Sequence, residues 1–339
     1  MSSRKSQTRA TLLSFVLAIV LLSALLYIVG VKEVLAVLGA ADPVVVGVLS
    51  GVVLCWIGVW SGSLRVVLRV LDLPDPPVRV FLAYAGMMFW DNVTPFSTVA
   101  ADPIAAGVIS ETFDVEYERS LAIVITVDFL NFVPAPLFAV VGLLYVVATV
   151  DTRDIVGTTV IPLIMGLVLL TLASYLSWQH RQLLGSTVVT AITRATRTLG
   201  RFVPGIESRE RHELQWRMDT LLEQLETVAT HRRALVLVLL LAVTGWAFLS
   251  LALWLSLYAV GVVIPPGVTL FAVPLVTVVE LVPLPGGVGG LEPLLVLLLT
   301  PTTGGSLPAV TAGVLVFRLG THWFPILLGG TAHPILFTR

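Results

Sequence analysis

Apolar runs of about 20 residues recur along this chain, the length a helix needs to cross the hydrocarbon core of a bilayer. They fall at about Ala10–Val31, Val44–Val70, Arg119–Val150, Ile155–Trp178, Ala234–Val263 and Pro308–Phe337. Inside lipid every backbone N–H and C=O must be satisfied by the protein itself, so a chain patterned this way folds as a bundle of helices. Composition agrees, with 57% of the 339 residues hydrophobic and 12% charged and a mean hydropathy of +0.97. The formal net charge of −1 is spread by topology rather than by a partner, and no nucleic-acid partner is expected. Cys55 is the single cysteine, so no intramolecular disulfide can form.

Two further segments, Val78 to Thr112 and Val268 to Thr300, are apolar but broken at their centres by proline, glycine and small polar residues. The breaks read PFSTVAADP, Pro95 to Pro103, and PGGVGGLEP, Pro285 to Pro293, and they lie 190 residues apart. At that offset Pro95 matches Pro285, Asp102 matches Glu292, Pro103 matches Pro293, Trp56 matches Trp246, and Asp128 falls opposite Arg318. Irregular backbone at membrane depth survives only where protein or a wet cavity covers it, which predicts buried re-entrant hairpins. With that parity, most arginines fall on one face, the opposite loops holding only Lys32 and Arg153. The positive-inside rule then places both termini in the cytoplasm and sets the two copies in opposite orientation.

The expected fold is therefore all-α, a polytopic helical membrane protein with an inverted-topology internal repeat and two broken re-entrant helical hairpins. Residues 1–40 read as a signal-anchor helix, 41–150 as the first repeat, 151–233 as a linker span with cytoplasmic amphipathic helices, and 231–339 as the second repeat. The amphipathic reading rests on helical spacing in Val189, Ile192, Leu199 and Phe202, and again in Leu214, Met218, Leu221 and Leu225.

Both breaks end in an acid followed by proline. Proline suits the first helical position and an acid before it caps free amides, so each hairpin is expected to restart a half-helix at Asp102–Pro103 and Glu292–Pro293. Such an N-terminus attracts phosphate or carboxylate, and Pro285, Gly286, Gly287 and Gly289 would let backbone approach a ligand closely. The bland alternative is that the acids only cap helices and the glycines only let them pack. Asp128 and Arg318 each lie about 10 residues into a span, about 15 Å deep, where mutual pairing is expected. That pair is either structural or a gate. Asp91 and Glu280, on the first arms, either carry a coupling proton or cation or are simply hydrated. Asn92 and Ser97 can offer neutral hydrogen bonds, and His322 shares a helical face with Arg318. No metal-spaced cluster, Walker-type loop or nucleophile elbow is present in the sequence, so neither cofactor nor metal is expected and the chain does not read as an enzyme.

PGGVGGLEP resembles the P-G-G-x-G-x-x-E signature of the lysylphosphatidylglycerol synthase transmembrane-region family, also called flippase-like. Asn92 to Pro95, the acid at Asp102 and the aspartate in the following span are also similar to that family. Many relatives have glycines where this chain has Ser97, Thr98, Ala100 and Ala101, and a basic residue where it has Leu291 or Ala105. The resemblance implies a multispan prokaryotic cell-membrane protein that moves a polar or anionic lipid headgroup through a midplane site between the hairpins. Its partners would then be membrane lipids and a separate lipid-modifying enzyme or glycosyltransferase. Two other roles stay open: a non-transporting subunit that presents lipid to such an enzyme, and a small-ion channel or exchanger.

Overall fold

The computed structural model of the protein describes residues 2–94, 97–149, 227–228, 230–277 and 284–337. Every regular element among them is helical. The expected span at Ile155–Trp178, the amphipathic helices beyond Val189, Pro95 and Glu280 all lie outside the described residues.

The first helix, α1 (Ser2–Val29), meets α2 (Val31–Gly39) at an 86° bend. Gly30 makes that corner at φ 99°, in the left-handed region glycine tolerates. The long α3 (Pro43–Val70) starts sharply because Asp42 accepts hydrogen bonds from the N–H groups of Val44 and Val45 with proline at the first position. Two helices of equal length follow, α4 (Pro77–Val93) and α5 (Ser97–Phe113), then α6 (Tyr117–Phe132) and α7 (Ala135–Thr149). The second half holds α8 (Arg232–Ala259), α9 (Pro266–Val276), a single 3₁₀ turn at Pro285–Gly287, α10 (Leu291–Thr303) and α11 (Leu307–Arg318). A π-helical segment, Leu319–Trp323, joins α11 to α12 (Phe324–Phe337).

By length and composition, Pro43–Val70, Tyr117–Ala148, Arg232–Ala259 and Leu307–Ala332 can each cross a membrane, and the bent α1–α2 pair makes a fifth candidate. Val236, Leu237, Leu240, Val141 and Leu144 stay exposed, as lipid-facing positions should.

At the centre, α3 and α8 pack as an antiparallel pair. The Asp42 N–H at the start of α3 donates to the Ala259 carbonyl at the end of α8 (2.9 Å). Midway, Gly245 lets α8 close onto the Trp60 indole, where a Cβ would collide with the ring. Trp56, Trp60, Trp246 and Phe132 form a run of edge-on aromatic contacts with centroids 5.4, 6.1 and 5.6 Å apart in turn. Around this core α4 packs on α12, Gly329 facing the Ala85 carbonyl and Phe89. In the same way α7 packs on α9, with Gly142 lying directly over Gly267 and Phe271. Small residues at both contacts let the backbones approach, which is how helices gain packing energy where no hydrophobic drive exists.

Candidate functional site

The glycine turn organises the site. Pro285 begins the 3₁₀ turn, and Gly286, Gly287 and Gly289 take φ of 52°, 68° and 80°. Gly286 sits where a Cβ would strike the His322 ring and lie 3.0 Å from the Asn92 carbonyl oxygen. At Gly289 a Cβ would fall 2.5 Å from the Ala18 carbonyl oxygen of α1. Only glycine fits the chain at either point.

Immediately after the turn α10 starts, with Glu292 in its first turn and 2% exposed. Glu292 Oε2 accepts the Gly289 N–H at 2.7 Å, reaching back over the helix start as an end-capping acid should. Its other oxygen, Oε1, accepts from Arg318 Nε at 2.8 Å. Arg318 is 6% exposed and also donates from Nη2 to the Gly286 carbonyl at 2.6 Å. One guanidinium therefore ties the last turn of α11 to both the glycine turn and the acid that follows it. A buried pair of this kind contributes little net stability as a pair, but losing one partner leaves an uncompensated charge at a cost of about 3 to 5 kcal/mol.

This replaces the expected Asp128–Arg318 pair. Asp128 and Arg318 line the same cavity, but the guanidinium makes its ion pair with Glu292. Depth along a span is readable from residue counts, whereas which way a side chain turns depends on where the glycine turn folds back. The restart expected at Asp102–Pro103 is also corrected: α5 already begins at Ser97, and Pro103 lies inside it. The Pro103 carbonyl accepts from the Tyr117 hydroxyl (3.0 Å), and Asp102 is buried with its Oδ1 unbonded. Only the second break restarts a helix next to its motif acid.

A second link crosses between the halves of the chain. His322 Nδ1 donates to Asn92 Oδ1 (2.7 Å), and Asn92 Nδ2 donates to the Met88 carbonyl (2.8 Å). Arg318 and His322 thus meet the same turn from one side, as their spacing implied, though the backbone between them is π-helical. Such single-turn π segments concentrate at functional sites.

These groups border a cavity of about 150 Å³. Asp91 and Asn92 of α4, Asp128 of α6, Gly286, Leu291 and Arg318 form its polar and turn-side wall, and Trp56, Trp60, Trp246, Tyr84 and Phe132 its aromatic wall. Of the residues the sequence singled out, Asn92, Gly286, Glu292 and Arg318 come together directly, joined by His322. Pro285, Gly287 and Gly289 shape the turn, Asp128 faces the shared cavity, and Ser97 opens α5. The aromatic wall was missed, and so was Asn131, whose backbone carbonyl accepts from the Trp246 indole N–H (2.8 Å). The available signals were Trp60 one turn after Trp56 and Asn131 three residues after Asp128.

A search of curated proteins finds no match. A family model described as the lysylphosphatidylglycerol synthase TM region matches residues 11–329, which takes in both breaks, the aromatic core and the buried ion pair. The chain belongs to the lysylphosphatidylglycerol synthase transmembrane-region family.

Proposed function

We propose that the chain moves lipids with a polar, anionic headgroup from one leaflet to the other, the headgroup passing through the cavity beside the glycine turn. The observation that carries this reading is Arg318. Its Nε and Nη2 are engaged by Glu292 and Gly286, which leaves donors of the five-donor fork for the cavity the residue lines. A guanidinium held by protein at one edge and open at the other suits a phosphate oxygen. The family supports a role in lipid modification or transport.

The same reading takes the fold as two copies in opposite orientation, each contributing a broken hairpin. In support, 43 and 70 plus 190 give 233 and 260, against Arg232–Ala259 for α8. Likewise 113 and 117 plus 190 give 303 and 307, where α10 ends and α11 begins. The packing of α4 on α12 has its counterpart in α9 on α7, so each copy's first arm lies on the last helix of the other.

The test is a lipid-translocation assay in proteoliposomes holding only this chain. Movement of a fluorescent anionic phospholipid between leaflets, slowed when Arg318 is neutralised, is expected. Lipid binding without movement until a separate enzyme is added would assign the chain to lipid presentation instead. Ion current with no lipid movement would make it a channel.

A further inference from the structure

At the 190-residue offset Trp56 of α3 and Trp246 of α8 hold matching positions, yet their indoles meet different fates. Trp246 Nε1 donates to the Asn131 carbonyl of α6 at 2.8 Å. The residue that matches Asn131 is Thr321, since 131 plus 190 is 321. Helix α3 does pack there: a Cβ on Gly320 would lie 3.1 Å from Val53 Cγ2, one turn before Trp56. Trp56 Nε1 nevertheless has no hydrogen-bond acceptor among the described residues. The backbone over Leu319–Trp323 is π-helical where α6 is α-helical, so the matching carbonyl is not offered in the same way.

The orphaned donor borders the cavity. Trp56 is 6% exposed, and both Trp56 and Thr321 line that space. A buried N–H without an acceptor is costly, and nearly all such groups in folded proteins are paired. Trp60 Nε1 is also unbonded, but packing accounts for it, because it is pressed against α8 at Gly245, where a Cβ would collide with it.

The group that would serve Trp56 must accept a hydrogen bond, which rules out an ammonium. A phosphate oxygen accepts, but in the transport reading the phosphate belongs to Arg318. Asp128, half-buried on the same cavity, is an acceptor when ionised and calls for a donor. A hydroxyl answers both needs, its oxygen taking the indole N–H while its own O–H turns to the carboxylate. Tyr84, Phe132 and Trp246 close the space with ring surface, as in pockets where a few polar groups orient a ligand against aromatic walls.

We propose that Trp56 is a specificity-determining residue, its indole N–H acting with the Asp128 carboxylate to select lipids whose phosphodiester headgroup carries hydroxyl groups, on an open polyol or a sugar ring. This deepens the transport reading and rests on it for the place of the phosphate at Arg318.

Binding to the purified full chain in detergent tests the site apart from transport. Short-chain phosphatidylglycerol or phosphatidylinositol should bind up to about tenfold more tightly than phosphatidylethanol, which keeps the charged phosphodiester and lacks a hydroxyl. The better of the two hydroxylated lipids tells an open polyol from a ring, and either result upholds the proposal. Trp56→Phe, which keeps an aromatic ring and removes the N–H, should bring that ratio close to one. It should also lower the melting temperature less than Trp246→Phe, which strips a bonded N–H from the Asn131 carbonyl. Equal binding of all three lipids by the parent overturns the proposal, as does tighter binding of phosphatidylethanolamine. A parental ratio retained in Trp56→Phe, or a melting temperature lowered as far as in Trp246→Phe, would make the indole structural and also overturns it. Lipid movement in proteoliposomes is read separately. Selective binding without movement keeps the hydroxyl site and removes transport, whereas movement without selective binding removes the site and leaves transport intact.

Discussion

Arg318 and Glu292 form the hinge of the site, and a double-mutant cycle measures how tightly they are joined. Arg318→Gln or Glu292→Gln alone strands a buried charge and is expected to destabilise the detergent-solubilised protein by about 3 to 5 kcal/mol. The double variant should lose less than the sum by more than about 1 kcal/mol; additive losses in denaturant titrations would mean the two charges are not coupled. Arg318→Lys should not substitute, since a single ammonium cannot hold Glu292 and the Gly286 carbonyl in the same fork. Gly286→Ala puts a methyl group against His322 at a positive φ, so a loss of at least about 1 kcal/mol is expected from thermal melting. At this scale the sequence named residues that the fold gathers round one glycine turn, Asn92, Gly286, Glu292 and Arg318, but was poor about their partners. Glu292 and Arg318 are 26 positions apart, and nothing short of the folded glycine turn tells the guanidinium to point there rather than toward Asp128.

Elements were more legible, because their signals are local. Asp42–Pro43, Ser306 with Pro308, and the proline pairs before α4 and α9 mark helix starts that the structure keeps. Asp102–Pro103 carries the same signal and misleads, since α5 starts six residues ahead of Pro103 and accommodates it. The π segment after Arg318 was invisible, as it depends on an extra residue being absorbed between α11 and α12. Where α7 crosses α9, a Cβ on Gly142 would lie 2.8 Å from the Gly267 carbonyl oxygen. Gly142→Val should therefore force the helices apart and cost about 1 to 3 kcal/mol, read as a lowered melting temperature with the fold retained.

Between α3 and α4 the chain is clasped by Asp75, which accepts from Arg69 Nε (3.1 Å) and Arg65 Nε (3.1 Å). The Arg69 hydrogen bond, with the charges of Arg69 and Arg65, holds its carboxyl below the usual aspartate value. A depressed folded value means the contribution is present above the unfolded pKa of about 3.9 and fades as pH falls through the folded one. The stability gap between the parent and Asp75→Asn should accordingly be small at neutral pH and vanish in acid. A gap that grows on acidification would contradict the clasp.

For the whole molecule, the 190-residue offset read from a few prolines, acids and tryptophans coincides with helix ends that match within one residue at α3 and α8. Orientation across the bilayer rests on arginine distribution, so it calls for labelling in sealed vesicles. In a Cys55→Ala background, cysteines at Val78 and Thr112 should label from the same face, and those at Val268 and Thr300 from the opposite one. Labelling of Val78 and Thr112 from different faces would make the first broken segment a true crossing and remove the inverted arrangement.

The most direct test of headgroup passage past Arg318 uses the Arg318→Gln, Glu292→Gln double variant, which removes both charges without stranding either. The amide that replaces the Glu292 carboxylate retains an oxygen able to accept the Gly289 N–H, so the turn should persist and the variant should insert and melt near the parent. Lipid flux and thermal stability are measured on one preparation. A folded double variant that no longer moves anionic lipid is the expected result; full flux, or flux reduced only in proportion to the folded fraction, would contradict it.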